Sequence, residues 1–180
     1  GSGGFQNSNP IVPTNPAGTA QPQFVTLENL SIDVSAAGSA AAGISVIFDF
    51  WGSHHTYRNI RLVGLNGTSS TPNGLNVNVD FLRIEHLLAQ QSDYVVSGTN
   101  PAVLVIGGGS NVYVNDVYMD GYAEWDGSAT PNSYYTNITV NGNNLLFDGS
   151  GSNDWGFTVF ENINVHSPGF YAVNGGLHTG

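Results

Sequence analysis

Apolar residues recur two positions apart in short runs along most of this chain, and loops rich in Gly, Pro, Ser, Asn and Thr separate the runs. In six of these runs two apolar residues flank one other residue, and an Asn directly precedes four of the six. The first apolar residues of the six runs are Leu30, Ile60, Leu82, Val117, Ile138 and Ile163. Alternation of this kind predicts β-strands. Helical periodicity is confined to 85–93, which is too short to predict a stable helix.

The spacing of the six runs indicates how the strands are arranged. The runs begin about 20 to 35 residues apart, with a second strand-like run between each pair, and this is the period of a parallel β-solenoid. Asn fits the corner of a coil because it tolerates the left-handed backbone conformation, and stacked amides can hydrogen-bond from coil to coil. We therefore predict an all-β fold, a single-stranded parallel β-helix of about five to six coils.

The repeated strands also resemble a known family. Segments such as "RNIRLVG" (58–64), "TNITVNG" (136–142) and "ENINVHS" (161–167) resemble strands of the right-handed parallel β-helix of the pectate-lyase-like superfamily, which includes pectinases and many phage tailspikes. The resemblance covers roughly 24–176 and concerns the fold. The combined Asn-x-Asp, Asp-Asp and Gly-His-Gly set of the polygalacturonase branch is absent, so that mechanism is not implied. A β-sandwich of short antiparallel strands is the alternative, because its turns have similar spacing.

Domain organisation follows from a change in composition near residue 24. Residues 1–23 contain four prolines and no charged side chain, which predicts an extended arm or linker, and 24–180 is the predicted β-helix domain. The chain has no cysteine, so it forms neither a disulfide nor a thiolate metal site. No apolar run reaches the length needed to span a membrane.

The charge balance narrows the range of partners. The chain of 180 residues has a net charge of −10, with three arginines and no lysine. Such a surface repels phosphate backbones and anionic lipid, so we expect neither nucleic-acid binding nor membrane insertion.

The strand pattern predicts which side chains share an outward face. The residues between the paired apolar positions should form a column with a spacing of about 4.8 Å, and the residues two positions further on a second one. The first predicted column is Ser31, Arg61, Arg83, Tyr118, Thr139 and Asn164, and the second is Asp33, Val63, Glu85, Asp120, Asn141 and His166. All three arginines fall on two adjacent coils. Because Arg donates bidentate hydrogen bonds to sugar carboxylates or sulfates, we predict carbohydrate binding by Arg61, Arg83 and Tyr118.

Two carboxylates on this predicted face are candidate catalytic residues. With Glu85 and Asp120 one coil apart, mutual repulsion would raise one pKa and leave an acid beside a base, as in a glycoside hydrolase. The alternative is that Arg83–Glu85 and Arg61–Asp120 are surface ion pairs, which contribute little.

Loop aromatics form a second candidate site for carbohydrate. Tyr122, Trp125 and Trp155 lie among Asp and Gly, and an aromatic ring in a polar loop offers a flat apolar face on which a sugar ring stacks. The alternative is that these rings fold back over the side of the solenoid.

Metal and modification sites receive weaker support from the sequence. His54 and His55 are adjacent, so in a strand they point to opposite faces and cannot hold one metal together. Asp49, Asp80 and Asp148 end strands, where Ca²⁺ binding and turn capping are both open, and we predict no cofactor. Three glycosylation sequons occur, and Asn66 is the credible acceptor because two others coincide with an Asn column expected to face inward.

Three functions remain open from the sequence. The first is an extracellular or virion-associated module that recognises surface polysaccharide, as a tailspike or adhesin does. The second is a polysaccharide depolymerase, a hydrolase or a lyase, and the third is a structural fibre or decoration subunit. Solenoid ends expose unpaired strand edges, so we also expect a homo-oligomer, either a trimer or an end-to-end assembly.

Overall fold

The strands in this computed structural model form two sheets. The structure describes residues 23–35, 46–49, 52–65, 74–91, 102–106, 109–120, 122–125, 132–141, 145–148, 157–166 and 170–173. Within these ranges the chain forms twelve β-strands. In the same ranges no helix has the length and apolar character needed to cross a membrane. Most of the predicted arm at 1–23 lies outside the described residues.

Odd-numbered and even-numbered strands belong to different sheets, each with six strands in chain order. One sheet contains β1 (Thr26–Asp33), β3 (Thr56–Leu65), β5 (Arg83–Gln91), β7 (Tyr113–Asp120), β9 (Ser133–Val140) and β11 (Thr158–Val165). The other contains β2 (Ile47–Asp49), β4 (Leu75–Val77), β6 (Ala102–Ile106), β8 (Tyr122–Trp125), β10 (Leu145–Asp148) and β12 (Phe170–Val173).

All strand pairs in these two sheets are parallel. The predicted all-β class with parallel pairing is therefore confirmed, and antiparallel pairing of the β-sandwich alternative does not occur among the described strands. The helical periodicity at 85–93 is misleading, because 83–91 forms the strand β5.

One apolar core takes side chains from both sheets. Ile47 and Leu75 come from the even strands, Ile60 and Ile84 from the odd strands, and all four are at most 1% exposed. The alternation read from the sequence produces this core, because every second residue of a strand points to the same side. Burying these side chains removes apolar surface from water at about 25 cal/mol per Å², which is the main stabilising term.

Each odd strand contains one non-glycine residue in the left-handed conformation, and these residues stack in register. We call this set the bend column; it consists of Asn29, Asn59, His86, Asp116, Asn137 and Asn162, with φ between 52° and 56°. Asn tolerates this region better than other side chains with a Cβ. Asn59 Nδ2 donates to Asn29 Oδ1 at 3.0 Å, and Asn162 Nδ2 to Asn137 Oδ1 at 2.7 Å. The predicted amide stacking between neighbouring strands is thus present.

The bend column departs from its prediction in two ways. In the middle of the column His86 and Asp116 replace the Asn residues found elsewhere. Their Nδ1 and Oδ2 atoms lie 2.5 Å apart. The side chains of Asn29 and Asn137 are also exposed rather than inward-facing. Burial therefore does not exclude Asn29 and Asn137 as glycan acceptors, contrary to the prediction.

The strand register confirms most of the predicted columns and corrects one member. Leu30 pairs with Ile60, and Val117 with Ile138, as predicted. On β5 the residue in this column is Leu87, whereas we predicted Leu82. The prediction for β5 is therefore displaced by five residues, which moves Arg83 and Glu85 away from the columns assigned to them.

Candidate functional site

A second column of left-handed residues lies five positions before the bend column, and aromatic rings dominate its first half. We call it the aromatic column; its members are Phe24, His54, Phe81, Asn111, Asn132 and Phe157, and the first five have φ between 54° and 63°. The rings of Phe24 and His54 have centroids 4.8 Å apart, and those of His54 and Phe81 are stacked at 4.4 Å. Backbone bonds such as Phe81 N to Ser110 O, 2.8 Å, hold the column in register.

Two phenylalanines in this column are both strained and exposed. Phe24 has φ 58° and is 72% exposed, and Phe81 has φ 54° and is 48% exposed. A left-handed conformation costs a side chain with a Cβ about 1–2 kcal/mol. Each ring contacts His54 but stays partly exposed, and Asn occupies the same column twice. Strain of this kind concentrates at functional sites.

The first four members of the aromatic column form one wall of an open groove with a volume of about 400 Å³. Thr26, Thr56, Arg83 and Tyr113 occupy the parallel position two residues further along β1, β3, β5 and β7, where they are register partners. The groove therefore crosses four adjacent strands. Its full lining is Phe24, Thr26, His54, Thr56, Phe81, Leu82, Arg83, Asn111 and Tyr113.

Arg83 is fixed at the centre of this groove by two neighbours. Its guanidinium carbon lies 4.8 Å from the ring centroid of Tyr113, and its Nη2 donates to Glu85 Oε1 at 2.7 Å. The hydrogen bond from Arg83 lowers the pKa of Glu85, while the same bond raises the pKa of Arg83. Glu85 is therefore an ionised acceptor at neutral pH, and Arg83 presents its remaining N–H donors in a fixed orientation.

Arg58 is held in a similar way on the neighbouring strand. Its Nη2 donates to Glu28 on β1, and this bond raises the pKa of Arg58. Glu28, Arg58 and Glu85 are register partners on β1, β3 and β5. Two of the three arginines of the chain thus lie beside the groove, each paired with a glutamate.

The register separates the two predicted catalytic carboxylates. Glu85 pairs with Asn115, and Asp120 pairs with Gln90, five positions further along the strand and beyond the bend at Asp116. The acid–base pair expected from adjacent positions is therefore not formed. The predicted Arg83–Glu85 ion pair is present, whereas Arg61 donates to Ser31 Oγ at 3.3 Å.

Two predicted carbohydrate-binding residues lie in the column just beyond the bend. Arg61 pairs with Leu88, and Leu88 with Tyr118, so these residues share a column from which Arg83 is absent. Tyr118 is 37% exposed. Arg61 and Tyr118 are thus on a different part of the sheet from the groove.

The predicted loop aromatics fall largely outside the described residues. Trp155 and the glycosylation candidate Asn66 lie there, as do the side chains of Tyr122 and Trp125, whose backbone forms β8. Their proposed roles stay predictions.

A buried polar cluster lies behind the groove. Asp49, His55 and Tyr57 are each fully buried. Asp49 Oδ2 accepts a hydrogen bond from the Tyr57 hydroxyl and lies 2.5 Å from His55 Nδ1. Burial, together with the nearby Asp49 charge, raises the pKa of Tyr57. His54 is exposed in the groove while its neighbour His55 is buried, so the two imidazoles point to opposite sides as expected.

The structure describes the side chains of two of the three aspartates proposed as Ca²⁺ ligands, Asp49 and Asp80. Asp80 Oδ1 accepts from Ser110 N at 2.7 Å, a bond to a segment 30 residues further along the chain rather than a cap of its own turn. Asp49 belongs to the buried cluster. The side chain of Asp148 lies outside the described residues. In the part of the chain that the structure describes, no three His, Asp or Glu side chains are placed to hold a metal ion.

The aromatic column is the feature that analysis of the sequence missed. Its members lie five residues before the six bend residues, so aligning the chain on those residues reveals the order Phe, His, Phe, Asn, Asn, Phe. Two bend positions conceal it, because His86 and Asp116 are not Asn, and because the β5 run fits a second apolar pair equally well.

The chain was compared with protein-family models, with curated proteins and with solved structures, and it has no significant match among any of them.

Proposed function

We propose that this chain is a module of the right-handed parallel β-helix type, similar in fold to the pectate-lyase-like superfamily, that recognises surface polysaccharide. The alternation of odd and even strands between two parallel sheets supports the solenoid, because a coil that contributes one strand to each sheet produces this order. The proposed setting is the exterior of a cell or a virion, where tailspikes and adhesins of this shape act.

The observation that carries the proposed function is the strained and exposed pair Phe24 and Phe81. The left-handed backbone conformation of both residues costs free energy. Most of Phe24 and about half of Phe81 remain exposed to water. Stacking on His54 offsets part of this cost, whereas Asn111 and Asn132 occupy the same column with less strain. A ligand that covers the rings accounts for both the exposure and the strain.

The neighbours of the rings favour a sugar as that ligand. Aromatic rings offer apolar surface to the C–H face of a pyranose, and the adjacent hydroxyls and N–H donors of Thr56, Arg83 and Tyr113 suit its hydroxyl groups. The groove crosses β1, β3, β5 and β7, three steps of about 4.8 Å, so a polymer that lies across the strands contacts several of them.

A glycoside hydrolase that acts through the two predicted carboxylates is less favoured by the same geometry. The paired carboxylates that a hydrolase needs are not brought together at Glu85 and Asp120. The pKa of Glu85 is lowered, which is opposite to the raised pKa that a general acid requires.

The test is a screen on an array of bacterial and plant glycans with the wild type and two variants. Phe81→Asn removes the ring and its stacking on His54, but it places in the column a residue already found there twice, so the fold should be retained. We expect it to lower glycan affinity at least about tenfold. Tyr118→Ala removes an exposed ring beyond the bend and should leave affinity within about twofold.

Three results would count against this assignment. If no glycan binds, the module is a structural subunit or recognises another class of ligand. If Tyr118→Ala abolishes binding while Phe81→Asn does not, the site lies in the predicted column of Arg61 and Tyr118. If reducing ends are released during binding, the chain is a depolymerase.

A further inference from the structure

The charges beside the groove indicate which class of polysaccharide it takes. Each arginine there is already engaged by a carboxylate: Arg58 by Glu28, and Arg83 by Glu85. Glu161 extends the column that contains Glu28 and Glu85, through the register partners Asn115 and Thr136. Among the described residues of this face there are thus two arginines and three glutamates.

An anionic sugar would meet an unfavourable potential on this face. A carboxylate or sulfate that approaches Arg58 or Arg83 must displace a glutamate or lie beside it, and juxtaposed like charges in an interface weaken binding. The net charge of −10 adds long-range repulsion at low salt. These pairs argue against the prediction that Arg83 binds sugar carboxylates or sulfates.

The same pairs suit a ligand that has only hydroxyl groups. A hydroxyl both donates and accepts, so it can bridge a guanidinium N–H and a neighbouring carboxylate oxygen at once. Arg83 Nη2 and Glu85 Oε1 lie 2.7 Å apart on one strand, and the ring of Tyr113 lies beneath the guanidinium. Charged groups of both signs held in place next to an aromatic ring form a site for a polar, uncharged ring.

We propose that the groove is selective for a neutral polysaccharide, and that Glu28 and Glu85 exclude acidic ones by neutralising Arg58 and Arg83. This inference rests on the proposed function, since it names the ligand class of the same groove. Binding should consequently vary little between low and high salt, because no net charge is neutralised in the complex.

The experiment measures binding of matched polymers that share a backbone and differ in charge: dextran with dextran sulfate, and hydroxyethyl cellulose with carboxymethyl cellulose, alongside neutral and acidic members of the glycan array. The wild type should bind neutral glycans and reject acidic ones at low salt. The double variant Glu28→Gln/Glu85→Gln frees both arginines and should bind acidic polymers at least about tenfold more tightly than the wild type does. This gained binding should weaken at high salt.

A matched control separates local from overall charge. The double variant Asp33→Asn/Asp120→Asn changes the net charge by the same two units. These residues end β1 and β7, on the far side of the bend from the groove. This variant should gain no affinity for acidic polymers. If the wild type prefers an acidic glycan, or if the two double variants gain equally, the inference is overturned while the groove remains a glycan site. If neither neutral nor acidic glycans bind, the proposed function fails and this inference fails with it.

Discussion

The guanidinium of Arg83 on β5 lies 4.8 Å from the ring centroid of Tyr113, its register partner on β7. This stacking fixes a rotamer-rich side chain on an exposed strand, and the hydrogen bond to Glu85 fixes it a second time. A planar cation on an aromatic face beside a carboxylate is a rigid polar surface, which loses little entropy when a ligand binds. The groove therefore combines a rigid centre with the exposed rings of Phe24 and Phe81.

The planar shape of Arg83 should matter more than its charge. Arg83→Lys keeps the positive charge but loses the stacking on Tyr113 and the forked geometry of the guanidinium. We expect about a fivefold loss of affinity for a bound glycan, equivalent to about 1 kcal/mol. Isothermal titration of this variant, with Arg61→Lys as the control beyond the bend, checks this; equal losses in both variants would contradict it.

The Arg83–Glu85 pair should contribute to stability only above the acid range. The pKa of Glu85 in the fold lies below its ordinary value of 4.5, so the folded state binds fewer protons than the unfolded state does in that range. The contribution is thus present above about pH 4.5 and is lost as the pH falls through the lowered pKa. Since the pair is at the surface, the effect is at most about 1 kcal/mol.

Melting temperatures of the wild type and of Glu85→Gln, measured across the acid range, test this linkage. The difference between the two proteins should shrink as the pH falls below about 4.5. A difference that stays constant down to full protonation would show that Glu85 gains nothing from Arg83.

The buried cluster behind the groove should be sensitive to the loss of one hydroxyl. Tyr57→Phe removes the donor to Asp49 Oδ2 and leaves a fully buried carboxylate with fewer partners. The free energy of unfolding should fall by about 1–3 kcal/mol, measured by denaturant titration. Tyr134→Phe makes the same chemical change at a side chain that is 43% exposed and should change the free energy by less than about 0.5 kcal/mol. Equal effects would mean that the Tyr57 hydroxyl is not needed.

Two substitutions at Asn59 in the bend column should separate the free-energy cost of backbone strain from that of losing the amide hydrogen bond. Asn59 has φ 53°, and its amide donates to Asn29. Asn59→Ala loses both the tolerated conformation and the hydrogen bond, so it should cost about 1–2 kcal/mol or more. Asn59→Gly restores the left-handed conformation and should be the milder of the two. If Ala is tolerated better than Gly, backbone strain at this bend is not what selects Asn.

The sequence was sufficient for the class of fold, because alternation at Ile60 and Leu62 or at Ile138 and Val140 marks a strand with one buried face. The register of β5 was not predictable in the same way. "FLRIEHLLA" offers two apolar pairs, Leu82 with Ile84 and Leu87 with Ala89, and both are buried. The left-handed residue that distinguishes them is His86, and a histidine carries no signal for that conformation comparable to Asn.

That single displacement determined most of the errors at the site. It moved Arg83 into the column of Arg61 and Tyr118, and it brought Glu85 beside Asp120. A slip along a strand changes every neighbour of each side chain at once. The aromatic column was hidden for a further reason: nothing in local sequence predicts phenylalanine in a left-handed conformation, because the conformation is unfavourable for it and is imposed by the strands on either side.

The central claim, that the exposed rings of the aromatic column bind sugar, is tested most directly by saturation-transfer difference NMR on a glycan identified in the array. Irradiation of aromatic protons of the protein should transfer saturation to the C–H protons of the sugar rings. We predict strong transfer with the wild type and with Tyr118→Ala, and clearly weaker transfer with Phe81→Asn, which leaves Phe24 in place. Undiminished transfer with Phe81→Asn would contradict this claim, since the sugar would then be in contact with other rings.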